Sequence, residues 1–319
     1  MSKLNIIIAL VFASMTAFAQ DKKASVPATP ASPSATAPTD EADQVITNRR
    51  LRASEGSLSK WSIATFWNYS GGSLNDPTDP ERPNIVGGGN VQTLQALSGE
   101  VGVKYRLTKL DSLTASTGLF MTTPFHSEID DNSALKKSFE KNSQKLNVQD
   151  PSLKFAHLDN LWGIQSISSV TGKLITNNQL TDREFRSELT LSQNFMKDVG
   201  NTGFSYGAAI IGYFYDFNDK VTDTPAFDAN TEQLIGLYPQ AEYVINDTFN
   251  VRTVFGWQVF EQLRGTPSDT YRKRKVYQSV GLGISVTRDI FLYPNIQYIP
   301  SNIRDDVTNI AMSANINLF

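Results

Sequence analysis

The chain has 319 residues but contains no cysteine and only two histidines, His126 and His157. The absence of cysteine excludes a disulfide scaffold, a zinc-thiolate site and a thiol nucleophile. A net charge of −3 offers no basic excess of the kind that nucleic acids bind. Beyond the first twenty residues no run of about 18 apolar residues occurs, so no transmembrane helix is expected. The sequence therefore predicts no metal, no cofactor and no nucleic-acid partner.

The N-terminus resembles an export signal. Lys3 precedes the apolar run 6–13, and Ala17-Phe18-Ala19 provides an A-x-A cleavage site. Residues 1–19 are therefore predicted to be a secretory signal peptide. Residues 20–56 follow, rich in proline, alanine and serine and poor in large apolar residues. Such a composition cannot bury enough surface to fold, so we expect a disordered periplasmic leader.

From Ser57 onward, apolar and polar residues alternate with a period of two, which indicates strands and not helices. In the clearest case Val276, Val280 and Ile284 alternate with small or polar residues. The alternating runs span about 11–15 residues, whereas strands of soluble proteins usually have about 5–6 and membrane-spanning strands about 9–11. One face of each run is apolar and the other polar. This is the pattern of strands that face lipid on one side and a lumen on the other.

Twelve such strands are predicted, at about 58–69, 93–107, 112–123, 151–158, 161–175, 183–195, 203–217, 233–245, 248–263, 273–287, 290–300 and 306–319. The eleventh contains Pro294, which has to lie at a bulge or a locally unpaired site. Short gaps largely alternate with longer ones, as turns and loops do at the two ends of a membrane barrel. Residues 57–319 are thus predicted to form an all-β, transmembrane, antiparallel up-and-down β-barrel of about 12 strands with both termini periplasmic.

The last strand ends in an aromatic residue, Phe319. With the long alternating strands, this resembles the porin-like outer-membrane β-barrel class of Gram-negative bacteria. The resemblance implies an outer-membrane location reached through the periplasm, with outer-membrane lipids, periplasmic chaperones and the barrel assembly machinery as partners. In that class the terminal aromatic is part of the assembly signal, so the resemblance implies this role for Phe319.

The polar register of the strands predicts which charged and amide side chains line the lumen. These are Glu100, Lys104, Arg106, Lys154, Lys173, Arg186, Glu188, Gln240, Glu242, Arg252, Gln258, Lys275 and Asn315. The basic excess favours a narrow passive channel for small polar or anionic solutes. Alternatively, opposite charges fill the lumen as a structural ladder. The protein is then a non-conducting structural or adhesive barrel that acts through its extracellular loops.

Catalysis is the lesser expectation. The outer-membrane phospholipase, also a twelve-stranded barrel, places its histidine two residues before its serine. His126 is followed directly by Ser127, and no serine follows His157 at that spacing. Asp130 and Asp131 near His126 leave a protease-like rim site open. The sequence therefore predicts no enzyme, with a membrane hydrolase as a minor alternative.

Overall fold

A computed structural model describes residues 40–89, 91–142, 146–218, 230–267 and 269–319. Residues Asp40–Phe319 belong to one compact unit. The predicted signal peptide and residues 20–39 of the predicted leader lie outside the described residues.

The secondary structure is almost entirely β. In chain order the elements are α1 (Glu41–Val45), α2 (Arg49–Glu55), β1 (Trp61–Ser73), β2 (Glu81–Pro83), β3 (Gln92–Leu94), β4 (Ala96–Arg106), β5 (Asp111–Thr122), α3 (Lys136–Asn142), β6 (Asn147–Leu161), β7 (Ile164–Leu174), α4 (Asn178–Thr181), β8 (Phe185–Asp198), β9 (Phe204–Phe217), β10 (Thr231–Val244), β11 (Phe249–Gly256), β12 (Gln258–Leu263), β13 (Arg272–Lys273), β14 (Tyr277–Ser285), β15 (Ile290–Tyr298), a 3-10 turn (Asp305–Val307) and β16 (Asn309–Leu318). None of the helices in the described ranges is long and apolar enough to cross a membrane.

The strands close into a ring. Sequential antiparallel pairing runs from β4 to β10, β16 pairs with β1, and β1 pairs with β4. The segments β11 and β12 are one strand interrupted at Trp257, and both pair with β10, while β11 also pairs with β14. In the same way β13 and β14 form one strand of the wall, since β13 pairs with β12 and β14 pairs with β11. Counted in this way, the ring has twelve strands. The predicted closed, twelve-stranded, antiparallel barrel is confirmed, with β2 and β3 as a separate hairpin in a loop.

Pro294 lies where its strand can tolerate it. Pairing of β14 with β15 is interrupted between Gly281↔Asn295 and Ile284↔Leu292, and Pro294 falls in this interval. Because proline has no amide hydrogen, a gap in the ladder removes the need for one. This is the locally unpaired site that the sequence required.

The two ends of the barrel differ. Residues 107–110, 162–163, 199–203, 245–248 and 286–289 form tight connections at one end, here called the short-turn end. Longer connections lie at the opposite end, the long-loop end. β1 begins and β16 ends at the short-turn end, where Ile63 pairs with Leu318. Phe319 follows the last strand and is exposed. Its role in assembly stays a prediction.

The outer face of the barrel carries exposed apolar side chains. They include Val103, Leu153, Phe155, Leu189, Val251, Met312 and Leu318. Aromatic residues gather on this face near the short-turn end: Trp61, Tyr105, Phe204, Tyr206, Tyr243 and Phe249. The rings of Trp61 and Tyr105 lie 4.6 Å apart. An apolar belt bordered by aromatic rings is the surface that a lipid bilayer covers.

The predicted disordered leader is wrong for residues 40–56, which form α1 and α2. The side chain of Asp40 caps α1 by accepting from the Ala42 amide at 3.0 Å, and Asn48 caps α2 by accepting from the Leu51 amide at 3.0 Å. Helices of five and seven residues are too short to persist alone in water. Their stability therefore comes from burial against the barrel, where Ile46 and Leu51 are almost fully covered.

The close approach of β8 and β9 predicts how much one added methyl group lowers the free energy of unfolding. A Cβ at Gly207 would lie 1.8 Å from the carbonyl oxygen of Phe195, whereas one at Gly172 on β7 would meet nothing within 4 Å. Gly207→Ala is therefore expected to lower the free energy of unfolding by about 1–3 kcal/mol or more. Gly172→Ala is the matched control. Urea midpoints followed by tryptophan fluorescence in detergent test this, and equal midpoints for the two variants would contradict it.

Candidate functional site

Residues 40–56, here called the plug, lie inside the barrel at its short-turn end. On one side Ala42, Ile46 and Leu51 pack against Leu158 of β6, Ile167 of β7 and Met196 of β8. On the other side Ala53 packs against Phe291 and Tyr293 of β15. In the ring of twelve, β7 and β15 are six strands apart and therefore face each other. The plug thus reaches from one wall of the lumen to the opposite wall.

Wall side chains bind the backbone of the plug where it turns between its helices. The amides of Thr47 and Asn48 donate to Oε1 of Gln165 on β7 at 2.8 and 2.7 Å. Gln165 in turn donates from Nε2 to Thr47 Oγ1 at 2.7 Å and to Asp198 at 2.9 Å. On the opposite wall Asn317 Nδ2 donates to the Ala53 carbonyl at 2.7 Å. These bonds pair backbone groups that would be costly to bury without partners.

A buried carboxylate joins the plug to β10 and β11. Glu242 is 2% exposed and lies 2.7 Å from Arg50 Nε and 3.2 Å from Arg252 Nε. Asn48 Nδ2 donates to its other oxygen at 2.9 Å. Each ion loses its water on burial, so the group is stable only while both signs are present. Glu242 and Arg252, both predicted to face the lumen, therefore hold the plug.

Further ion pairs surround the plug. Lys104 Nζ lies 3.2 Å from Glu55 and also donates to the Glu55 carbonyl. Arg106 pairs with Asp40 at 3.0 Å. Lys104 and Arg106 both belong to the predicted lumen set. The plug also reaches the turn after β14, where Arg288 lies 2.7 Å from Asp43.

The pKa values of two partly buried members, Asp40 and Arg288, follow from these contacts. Burial raises the pKa of Asp40, but the hydrogen bonds from Arg106 and the Ala42 amide outweigh it, so that the pKa lies below its usual 3.8. Burial lowers the pKa of Arg288, but the bonds and charge of Asp43 outweigh it and raise the pKa. Both shifts favour the charged forms and hence the ion pairs at neutral pH.

Next to the plug lies a polar cavity of about 410 Å³, with Ser54 and Glu55 of the plug in its lining. The predicted lumen residues Glu100, Lys104, Lys154, Lys173, Glu188 and Asn315 come together in this lining. Seven hydroxyl side chains of β5, β7 and β8 also line it: Ser112, Thr114, Ser116, Ser169, Thr171, Thr190 and Ser192. Lys173 pairs with Glu188 at 3.3 Å. Among the described residues Lys154 and Glu100 have no hydrogen-bond or ion-pair partner.

Three residues of the predicted lumen set lie elsewhere. A bulge between Phe185 and Ser187 reverses the alternation in β8, so Arg186 is exposed on the outer face and pairs there with Asp216. The break at Trp257 likewise reverses the alternation in β12. Gln258, which pairs opposite Leu237, lies three residues before the buried Glu261. An odd spacing along a strand puts two side chains on opposite faces, so Gln258 faces outward. Lys275 is exposed between β13 and β14.

One residue of the inner wall that was not among the predicted lumen residues is a tyrosine. Tyr215 of β9 pairs opposite the buried Glu188 in the ladder, so its side chain faces the lumen. Its pairing with Glu188 indicates the lumen side, because directly opposite residues of paired strands share a face.

The histidines do not complete a hydrolase site in the described structure. His157 Nδ1 lies 2.7 Å from Asp111 Oδ1 on the outer face, and Ser168 pairs opposite His157 in the ladder. The Ser168 hydroxyl, however, donates to Gln193 and not to His157. A serine nucleophile needs its base within hydrogen-bond reach. His126 lies in the β5–β6 loop, and no cluster of three metal-ligating side chains occurs within the described ranges.

Several solved structures are similar in fold. The NanC porin is 11% identical over 81% of this chain and 98% of its own, with a TM-score of 0.42. An outer membrane channel from Pseudomonas putida F1 is 13% identical over 82% and 97%, with a TM-score of 0.49. The outer membrane phospholipase dimer of Salmonella typhi with bound calcium is 11% identical over 81% and 90%, with a TM-score of 0.33. Likeness of this degree concerns the fold alone. No family model and no curated protein matches the sequence.

Docking of the plug predicts the effect of removing one buried side chain. Leu51 is fully buried, and Leu51→Ala is expected to weaken docking by about 2–5 kcal/mol. Trypsin should then cleave at Arg49, Arg50 and Arg52 at least about tenfold faster, because cleavage follows the population of released plug. Leu153→Ala, on the exposed outer face, is the control. Equal cleavage rates in both variants would show that the plug does not dock.

The buried carboxylate predicts a second effect. Glu242→Gln leaves Arg50 and Arg252 as buried cations without a counter-charge, and should lower the free energy of unfolding by about 3–5 kcal/mol. Adding Arg50→Met should recover part of that loss, because it removes one of the two cations. Urea denaturation measures both, with the exposed Glu140→Gln as the control. A loss below about 0.5 kcal/mol for Glu242→Gln would be the contrary result.

Proposed function

We propose that the protein spans the outer membrane as a narrow channel for small polar solutes, with anions preferred, and that the docked plug shuts its short-turn end. Its outer apolar face and aromatic residues suit a bilayer, and a closed barrel leaves no unpaired strand edge in lipid. The predicted export signal supports delivery to the outer membrane. The alternation of short turns and long loops agrees with a barrel whose short-turn end faces the periplasm.

The main support for a channel is the polar cavity of about 410 Å³ in the lumen. In a filled barrel, opposite charges pair with one another and leave no polar space. Here Lys154 and Glu100 face free volume without partners among the described residues. Lining hydroxyls offer hydrogen bonds to a solute or to water in transit.

Conduction requires the plug to move, since it touches opposing walls. The plug is held by hydrogen bonds and ion pairs along its length and by the apolar cluster around Leu51. Because these contacts all join the plug to the wall, they break together when it leaves as one unit. A non-conducting barrel is the alternative, in which the plug is a permanent part of the fold. Fixing the plug in place changes the current through a channel that the plug closes, but it has no effect on a barrel that never conducts.

The absence of native cysteine allows the plug to be fixed selectively. Thr47 Oγ1 of the plug lies 3.0 Å from Asp198 Oδ2 of the wall, and Ser205 Oγ, also of the wall, lies 2.6 Å from Asp198 Oδ1. We would join Thr47→Cys to Asp198→Cys with a short, reducible bis-methanethiosulfonate reagent and record currents in planar bilayers. The control joins Asp198→Cys to Ser205→Cys, which bridges two wall strands and leaves the plug free.

Crosslinking the plug should abolish an anion-selective current that returns on reduction, while the control pair should conduct throughout. Absence of current in every protein, reduced or not, would support the non-conducting barrel. Equal currents with the plug crosslinked and released would show that the plug does not close the lumen.

A further inference from the structure

The wall of the polar cavity formed by β5 to β8 carries a set of hydroxyls around one lysine, here called the hydroxyl face: Ser112, Thr114, Lys154, Ser169, Thr171 and Ser192. Thr114 and Thr171 are the cross-strand partners of Lys154 on its two sides. Ser169 and Ser192 pair with each other in the adjoining row. Directly opposite residues have Cβ atoms about 4.5–5.5 Å apart. Lys154 is thus flanked on both sides by hydroxyls.

The hydroxyl face is not used by the protein itself. None of its six side chains forms a hydrogen bond or an ion pair with any part of the chain that the structure describes. The neighbouring cations differ, because Lys104 is bound to Glu55 and Lys173 to Glu188. One lysine charge and five hydroxyls of this face therefore point at the cavity with their bonding capacity free. Glu100, the other unpartnered charge of the lining, lies on β4 opposite Gly118 and outside the hydroxyl face.

Tyrosines lie on the inner side of β9, β10 and β14. Tyr213 of β9 lines the cavity. Tyr238 of β10 and Tyr277 of β14 lie two residues from the buried Gln240 and Ser279 and share their inward face. In the ring of twelve, β14 lies six strands from β6, directly opposite Lys154. The rings of Tyr238 and Tyr277 lie over Gly236 and Gly256, where a Cβ would approach within 2.5 and 2.3 Å. These strands thus present ring surfaces as well as phenol groups.

We propose that the cavity binds a hydroxylated organic anion of monosaccharide size, such as a sugar acid. The carboxylate pairs with Lys154, the hydroxyls exchange hydrogen bonds with the threonines and serines beside it, and the C–H face of the ring packs on the tyrosines. About 410 Å³ is at the lower end of the range of small-molecule pockets, which suits one sugar ring. The proposal deepens the proposed channel function by naming its solute class.

Charge and hydroxyls both contribute to the preference. A carboxylate replaces the water around Lys154 with a charge-assisted bond, which is roughly twice as strong as a neutral one. A neutral sugar leaves the lysine without that bond. An anion without hydroxyls leaves the serines and threonines facing apolar surface, which costs their hydrogen bonds to water.

Calorimetric titration of the full chain in detergent tests the proposal with three probes of similar ring size. D-Glucuronate has both features, D-glucose lacks the charge, and cyclohexanecarboxylate lacks the hydroxyls. We expect glucuronate to bind at least about tenfold more tightly than either analogue. Inorganic phosphate is the fourth probe, since it tests for a site that accepts any small anion.

Variants place the binding in the cavity. Lys154→Met should weaken glucuronate at least about tenfold and bring it to the level of glucose. Thr114→Val and Thr171→Val keep the side-chain shape and should each weaken glucuronate about three- to tenfold while leaving cyclohexanecarboxylate unchanged. Lys197→Met removes a lysine charge on β8 at a position paired with Tyr206, away from the cavity, and should have no effect.

The proposal is overturned if glucuronate binds no better than either analogue or phosphate, or if Lys154→Met retains its affinity. Binding does not depend on conduction, so the two claims can fail separately. Glucuronate binding to a barrel that never conducts supports the site and contradicts the channel. A conducting barrel that ignores glucuronate contradicts the site alone.

Discussion

Closing twelve strands into a ring commits the inward side chain of every second residue to one shared lumen, where each polar group needs a partner. At the short-turn end the chain itself supplies the partners. Glu242 balances Arg50 of the plug and Arg252 of the wall, and Gln165 binds the amides of Thr47 and Asn48. Without the plug these buried polar groups would lose partners that water at a narrow lumen end replaces poorly.

The same alternation gives the lumen two parts with different chemistry. Near the short turns, Leu158, Ile167 and Met196 interrupt the polar register and receive the apolar side of the plug. Farther along the same strands, hydroxyls and Lys154 face open space. One part holds a segment of the chain, and the other is left for a solute. Closure and selectivity are therefore separate properties of one inner surface.

Strand period and length predict the barrel well, because each strand must turn a full apolar face outward over the thickness of a bilayer. That rule also places Glu100, Lys104, Lys154 and Glu188 in the lumen. It fails where the backbone departs from strict alternation, because the bulge beside Arg186 and the break at Trp257 each change which face the neighbouring side chains occupy. A single extra residue leaves no clear mark in the composition.

The sequence does not predict the plug for another reason. Its helices have only five and seven residues, and partners such as Gln165 and Glu242 lie more than a hundred residues away along the chain. Hydrogen–deuterium exchange of the full chain in lipid tests the plug most directly. The amides of Thr47, Asn48 and Leu51 are bonded to Gln165 and Asn48 side chains, so we expect them to exchange as slowly as neighbouring barrel amides. Exchange at the rate of an unstructured peptide would contradict it.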